Sequence, residues 1–137
     1  MQAKSASAAA ESARKAITIR TLADEFQLAC ERMDQLLDFI EHDRFAEAAL
    51  RARELASALG EIPYRREPLL AQDNVDELLN KRTQIEIIGK VLMSTNRGEP
   101  LSPEAKKRLF ARGQDTTAAL RKNLGIIKGE IDRGAKQ

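Results

Sequence analysis

The sequence predicts an all-α protein: an antiparallel bundle of four helices whose first two form a helical hairpin. Three observations carry this. Ala, Leu, Glu, Lys and Arg dominate, and only 4% of residues are aromatic, a composition of good helix formers. Apolar residues recur every three or four positions throughout, the period of one helix face. The breaks are few, at Glu41–Arg44, Pro63–Pro68 and Asn96–Leu101.

The first arm of the hairpin carries Leu22, Phe26, Cys30, Met33, Leu37 and Ile40 on one side. Ile17, Thr21 and Leu22 open its stripe, and Thr21 with Asp24 suits a helix N-cap. Residues 1–16 are Ala- and Ser-rich with few large apolar groups; alanine propensity suits an N-terminal extension of the first helix, and the lack of docking groups suits a flexible or frayed one. The turn at Glu41-His42-Asp43-Arg44 is too short for anything but antiparallel neighbours. Asp43 is placed to cap the second arm, where Phe45, Ala48, Ala49, Ala52, Leu55, Ala56 and Leu59 face inward. Gly60 reads as the left-handed stop of that arm.

A connector with Pro63 and Pro68 follows, carrying Ile62, Tyr64, Leu69 and Leu70 across the open end of the bundle. The third helix is expected from Asp73 or Asn74, with Val75, Leu78, Leu79, Arg82, Ile85, Ile88 and Leu92 at helical spacing. Ile87 and Val91 widen this apolar face, as a helix held by two neighbours requires. Gly89 implies a close helix approach. Ser102-Pro103-Glu104 is a start signal for the fourth helix: a serine cap, proline at the first helical position and an acid in the first turn. Phe110, Gly113, Thr117, Leu120, Leu124, Ile127 and Ile131 then alternate by three and four. Gly113 and Thr117 give that seam a weak middle, and Gly125 and Gly129 loosen its end. One bundle domain over residues 17–133 is expected, with 134–137 a tail.

Charge narrows the function classes. The charged fraction is 32%, yet the net charge is +2, without the one-sided basic face of a nucleic-acid binder. No run nears the roughly 20 apolar residues of a membrane span. The single cysteine, Cys30, excludes a disulfide framework and favours a reducing compartment. A cytoplasmic protein without nucleic-acid partner or membrane insertion is expected. His42 is the only histidine, set in a turn between acids; with Cys30 on a core face it builds neither a zinc set nor a nucleophilic triad. No cofactor or metal is expected. Asp34, Asp38 and Glu41 read as a solvated face. Asp76–Lys90 is loosely similar to a helix of all-helical chorismate mutases, with Arg82 as the matching arginine. Lys90 falls at the wrong interval to share its face, so a small helical enzyme ranks last among the readings.

Met33–Leu59 (MDQLLDFIEHDRFAEAALRARELASAL), with Asp43 and Phe45 at the turn, resembles the small chaperones of flagellar type III export, the FliT and FlgN groups. Val75–Leu92 and Pro103–Ile131 stand where those short all-α proteins have their later helices. The resemblance implies a protein that holds the C-terminal segment of an export substrate and delivers it to the export gate. An amphipathic helical segment would lie in an apolar groove, gated by the last helix. Leu109, Phe110, Leu120, Leu124, Ile127 and Ile131, with Tyr64, Leu69 and Leu70, are the candidate partner-binding residues. The alternative is a structural or oligomeric helical protein, a homodimer paired through the last seam.

Overall fold

The computed structural model describes the backbone of residues 2–65, 71–96, 98 and 100–135, and the side chains of 7–61, 71–95, 98 and 100–133. Four helices account for nearly all of it: α1 (Gln2–Glu41), α2 (Phe45–Arg65), α3 (Gln72–Asn96) and α4 (Pro103–Ala135), with no strand among the described residues. Helix α1 packs against α2 and α4, and α3 packs against the same two; among the described residues no Cα of α1 comes within 8 Å of α3, nor any of α2 of α4. The order around the bundle is therefore the order along the chain.

Individual contacts fix the directions. From Ala52 to Gly60, α2 advances while its α3 neighbours retreat from Gly89 to Arg82. Along α4, Lys106 meets Asp43, Gly113 meets Leu37, and Arg121 meets Asp34. Each consecutive pair is antiparallel. The shared core holds Leu22, Phe26, Met33, Leu36 and Ile40 of α1, Leu55 and Leu59 of α2, and Leu78, Ile85, Ile88 and Leu92 of α3. Leu36 rather than Leu37 takes the fully inward place, and Leu37 is half-buried.

Helix α1 does not start at a Thr21 cap. It is helical from Gln2, so the N-terminal extension continues the first arm, with side chains 7–17 exposed. Alanine's propensity sustains the helix where packing does not. Ile17 is 64% exposed and the buried stripe begins at Ile19.

The hairpin turn differs from expectation in an informative way. Asp43 has φ 58°, a left-handed conformation unusual for a residue other than glycine. Its amide bonds Ile40 O (3.2 Å), and Arg44 N bonds Phe39 O (2.8 Å). These two bonds are the Schellman closure of a helix C-terminus. Arg44 lies over the Phe39 ring at 5.4 Å, supplying the side-chain contact that accompanies such a closure. Asp43 thus ends α1 instead of capping α2. At the start of α2, Glu47 accepts from its own backbone amide and from Arg44, which together hold its carboxyl below the usual range.

Gly60 does not stop α2, which continues through Pro63 to Arg65. A proline there forfeits one bond, to the carbonyl four residues back, without ending the helix. Instead the Arg82 guanidinium lies against Gly60: a Cβ there would lie 2.9 Å from Arg82 Cζ, a contact from which an exposed arginine can give way. Gly89 faces Ala52, but a Cβ on it would lie 3.6 Å from the Ala52 Cβ, an ordinary contact that does not demand glycine. Leu79 (38%) and Ile87 (37%) are exposed, so the buried face of α3 is narrower than the sequence implied. Ser102 caps α4 as expected, accepting from Ala105 N at 3.1 Å.

Candidate functional site: the docked fourth helix

The predicted partner-binding residues divide into three groups. Leu109, Leu120, Leu124 and Ile127 are buried on the inner face of α4, while Phe110 and Ile131 are half-buried at its edges. The Tyr64 side chain, Leu69 and Leu70 lie outside the described residues. Phe110 borders a shallow depression on α4 with Pro103, Lys106 and Lys107. A second shallow depression, between α1 and α2, is bordered by Arg32, Leu50, Arg53 and Glu54. Neither is a continuous apolar furrow for a helix. The furrow between α1 and α3 is filled by α4 itself.

Sequence reading missed two members of this face, Thr116 and Asn123. Leu109, Gly113, Thr116, Leu120, Asn123 and Ile127 are all buried, and they alternate four and three along the helix. This second seam shares Gly113, Leu120 and Ile127 with the first. Its polar members concealed it, because the helical signal in a sequence is the recurrence of apolar residues.

Those polar members distinguish α4 chemically. Thr116, Thr117 and Asn123 are the buried polar side chains among the described residues, and all three belong to α4. Thr116 and Thr117 donate to Arg112 O (3.2 Å) and Gly113 O (3.0 Å), one turn back on their own helix. Asn123 Nδ2 donates to Ala119 O at 2.8 Å, but its Oδ1 is buried without a partner. None of these groups bonds across to α1 or α3, so the core gains nothing from them in recognition. An unpartnered buried carbonyl costs about 1–3 kcal/mol.

Gly113 is not a weak point of the seam. It is buried against α1, where an added Cβ would lie 2.5 Å from Leu37 Cδ2 and 2.9 Å from Met33 Cε. Gly125 and Gly129 have nothing within 4 Å of such a Cβ. There glycine only weakens the helix, by about 1 kcal/mol each relative to alanine.

The rim of α4 is charged and ordered. Arg121 reaches Asp34 of α1 at 3.6 Å, and the next residue, Lys122, reaches Glu77 of α3 at 3.0 Å. Arg112 donates to Gln84 of α3 at 3.3 Å. Lys106 donates to Glu41 O and Asp43 Oδ1 at the end of α1. Cys30 lies beneath this rim: burial pushes its thiol pKa up, and Arg121 and Lys128 of α4 pull it partly back.

No protein-family model, curated protein or solved structure matches this chain. The remaining candidates for chemistry stand at the surface. Asp38, Glu41 and His42 bring possible metal-ligand atoms within 4.8 Å of one another, all exposed. Of the imidazole nitrogens, Nδ1 is engaged with Asp38 O at 2.9 Å. Arg82 pairs with Glu86 (3.2 Å) beside Gly60, on the exposed flank of α3 rather than in the bundle interior. Among the described residues no helix is long and apolar enough to cross a membrane.

Proposed function

We propose that the protein is a helical protein-binding adaptor in which α4 covers the surface offered to the partner. One observation carries this reading: every buried polar side chain among the described residues is on α4. A helix whose docked face includes two threonines and an unsatisfied asparagine is held less firmly than one with an all-apolar face. Gly125 and Gly129 lower its intrinsic stability further. A covering element must be released by modest differential binding energy, and these features supply that condition.

The likeness of Met33–Leu59 to flagellar export chaperones gives the reading a finer form. In it the protein is cytoplasmic, the partner is an amphipathic helical segment of an export substrate, and the buried seam of α4 marks where that segment lies. Native-state hydrogen exchange tests the adaptor reading without a partner. The amides of α4 from about Arg112 to Ile131 should exchange through an opening of lower free energy than those of α1 and α2. If α4 exchanges only with global unfolding, the reading is overturned.

A further inference from the structure

Among the described residues, the polar contacts of α4 with its neighbours at Lys106, Arg112, Arg121 and Lys122 each place a base on α4. Lys106, Arg112, Arg121 and Lys122 meet Asp43 and Glu41 O, Gln84, Asp34 and Glu77. Helix α4 carries eight bases against four acids. Of the two walls of the furrow, α1 with the turn after it, residues 21–43, carries seven acids and one base, that base, Arg32, facing Glu54 of α2, while α3 carries four acids and three bases. The adjacent pair Arg121 and Lys122 straddles the furrow, one reaching α1 and the other α3, with Leu120 buried below them.

We propose that the α1–α3 furrow is selective for a basic amphipathic helix, so that the partner segment which replaces α4 presents an apolar seam flanked by two bases that straddle it. This rests on the adaptor reading and goes further, to the chemistry of the partner. Exposed ion pairs contribute little affinity each; their role is orientation and rejection. An acidic helix in the same place would set like charges against Asp34 and Glu77, and such repulsion discriminates between partners. Where α1 and α4 cross, a small residue in the position of Gly113 fits the replacing helix best, because any side chain there must push the Leu37 and Met33 methyl groups aside.

The probe is a fluorescent synthetic peptide of residues 103–135, compared with the same peptide carrying Arg121→Glu and Lys122→Glu. Both are titrated against the full chain bearing that double substitution, which weakens its own α4 and leaves the furrow intact. The expected result is roughly tenfold tighter binding of the native-sequence peptide at low salt, narrowing as salt screens the pairs. The full chain bearing Asp34→Lys and Glu77→Lys should reverse the preference. Equal binding of the two peptides at low salt overturns the proposal. If neither binds while Cys30 becomes alkylated through a sub-global opening, the proposal falls and the adaptor reading stands. If neither binds and Cys30 stays closed until global unfolding, both fall. A concentration-dependent dimer in sedimentation, with a second copy's α4 in the furrow, would make the chain its own occupant and also overturn the proposal.

Discussion

Lys106 Nζ lies 3.0 Å from Asp43 Oδ1 and 3.0 Å from Glu41 O, tying the first turn of α4 to the last turn of α1. The same aspartate holds the left-handed turn of the hairpin, so one residue serves two demands that conflict. Glycine at 43 relieves a backbone cost of about 1–2 kcal/mol and deletes an exposed ion pair worth at most about 1 kcal/mol. Asp43→Gly should therefore be neutral or slightly stabilising in urea denaturation. Asp43→Ala keeps the strain and loses the pair, and should be destabilising. Equal effects of the two would show that the left-handed turn is not under strain.

The glycines of the bundle should divide by sign. Gly113→Ala forces the Leu37 and Met33 methyl groups aside, an overpacking that costs about 1–3 kcal/mol against a helix-propensity gain of about 1. Gly89→Ala and Gly125→Ala meet ordinary contact and open space respectively, so each should stabilise by about 1 kcal/mol. Adding Leu37→Ala should remove the penalty at 113. Thermal melts of the four variants check the pattern, and a stabilising Gly113→Ala in the Leu37 background would mean that the helices separate easily there.

Where the sequence was legible, the local signal and the tertiary demand agreed. Ser102-Pro103 reads as a helix start and is one. The alanines of α2 read as a close-packed face, and Ala48, Ala49 and Ala52 are buried. Misreadings arose where one residue type has two physical uses. Asp43 suits an N-cap and a left-handed turn, and the three-residue connection between α1 and α2 required the second. Gly60 suits a helix stop and a close approach, and the continuation of α2 to Arg65, with the Arg82 guanidinium lying against Gly60, leaves only the second. At the candidate site the apolar half of the α4 seam was visible, whereas Thr116 and Asn123 were hidden because burial of a polar group leaves no hydropathy signal.

Asn123 offers a direct measure of what the polar seam costs. Replacing it with leucine removes the unpartnered Oδ1 and keeps similar volume, and should stabilise by about 1–2 kcal/mol. If this seam is what makes α4 releasable, the same change should weaken capture of the basic peptide by a comparable factor, about 5–30-fold. Chemical denaturation and peptide titration on the same variant report the two effects. Destabilisation by Asn123→Leu would mean that the amide carries a favourable interaction in the core.

Cys30 provides a native reporter of α4, because its thiol is buried among charges contributed by Arg121 and Lys128. Alkylation requires an exposed thiolate, so the labelling rate at fixed pH should follow the opening of α4 when reclosing is fast. Leu120→Ala, which hollows the buried face of α4 at a cost of about 2–5 kcal/mol, should speed labelling more than thirtyfold, with little change in helix content by circular dichroism. Asn123→Leu should slow it. The pH dependence has a defined sign. With its pKa raised on folding, the thiol keeps its proton in the native state over a range where the unfolded chain has lost it. The folded state thus binds more protons there, and stability falls as pH rises from the ordinary thiol pKa through the native one. Labelling should accelerate over that range beyond what thiolate formation in a free thiol accounts for, and Cys30→Ala should flatten the alkaline loss of stability. Labelling that in every variant matches the global unfolding rate would instead make α4 an inseparable part of one cooperative bundle.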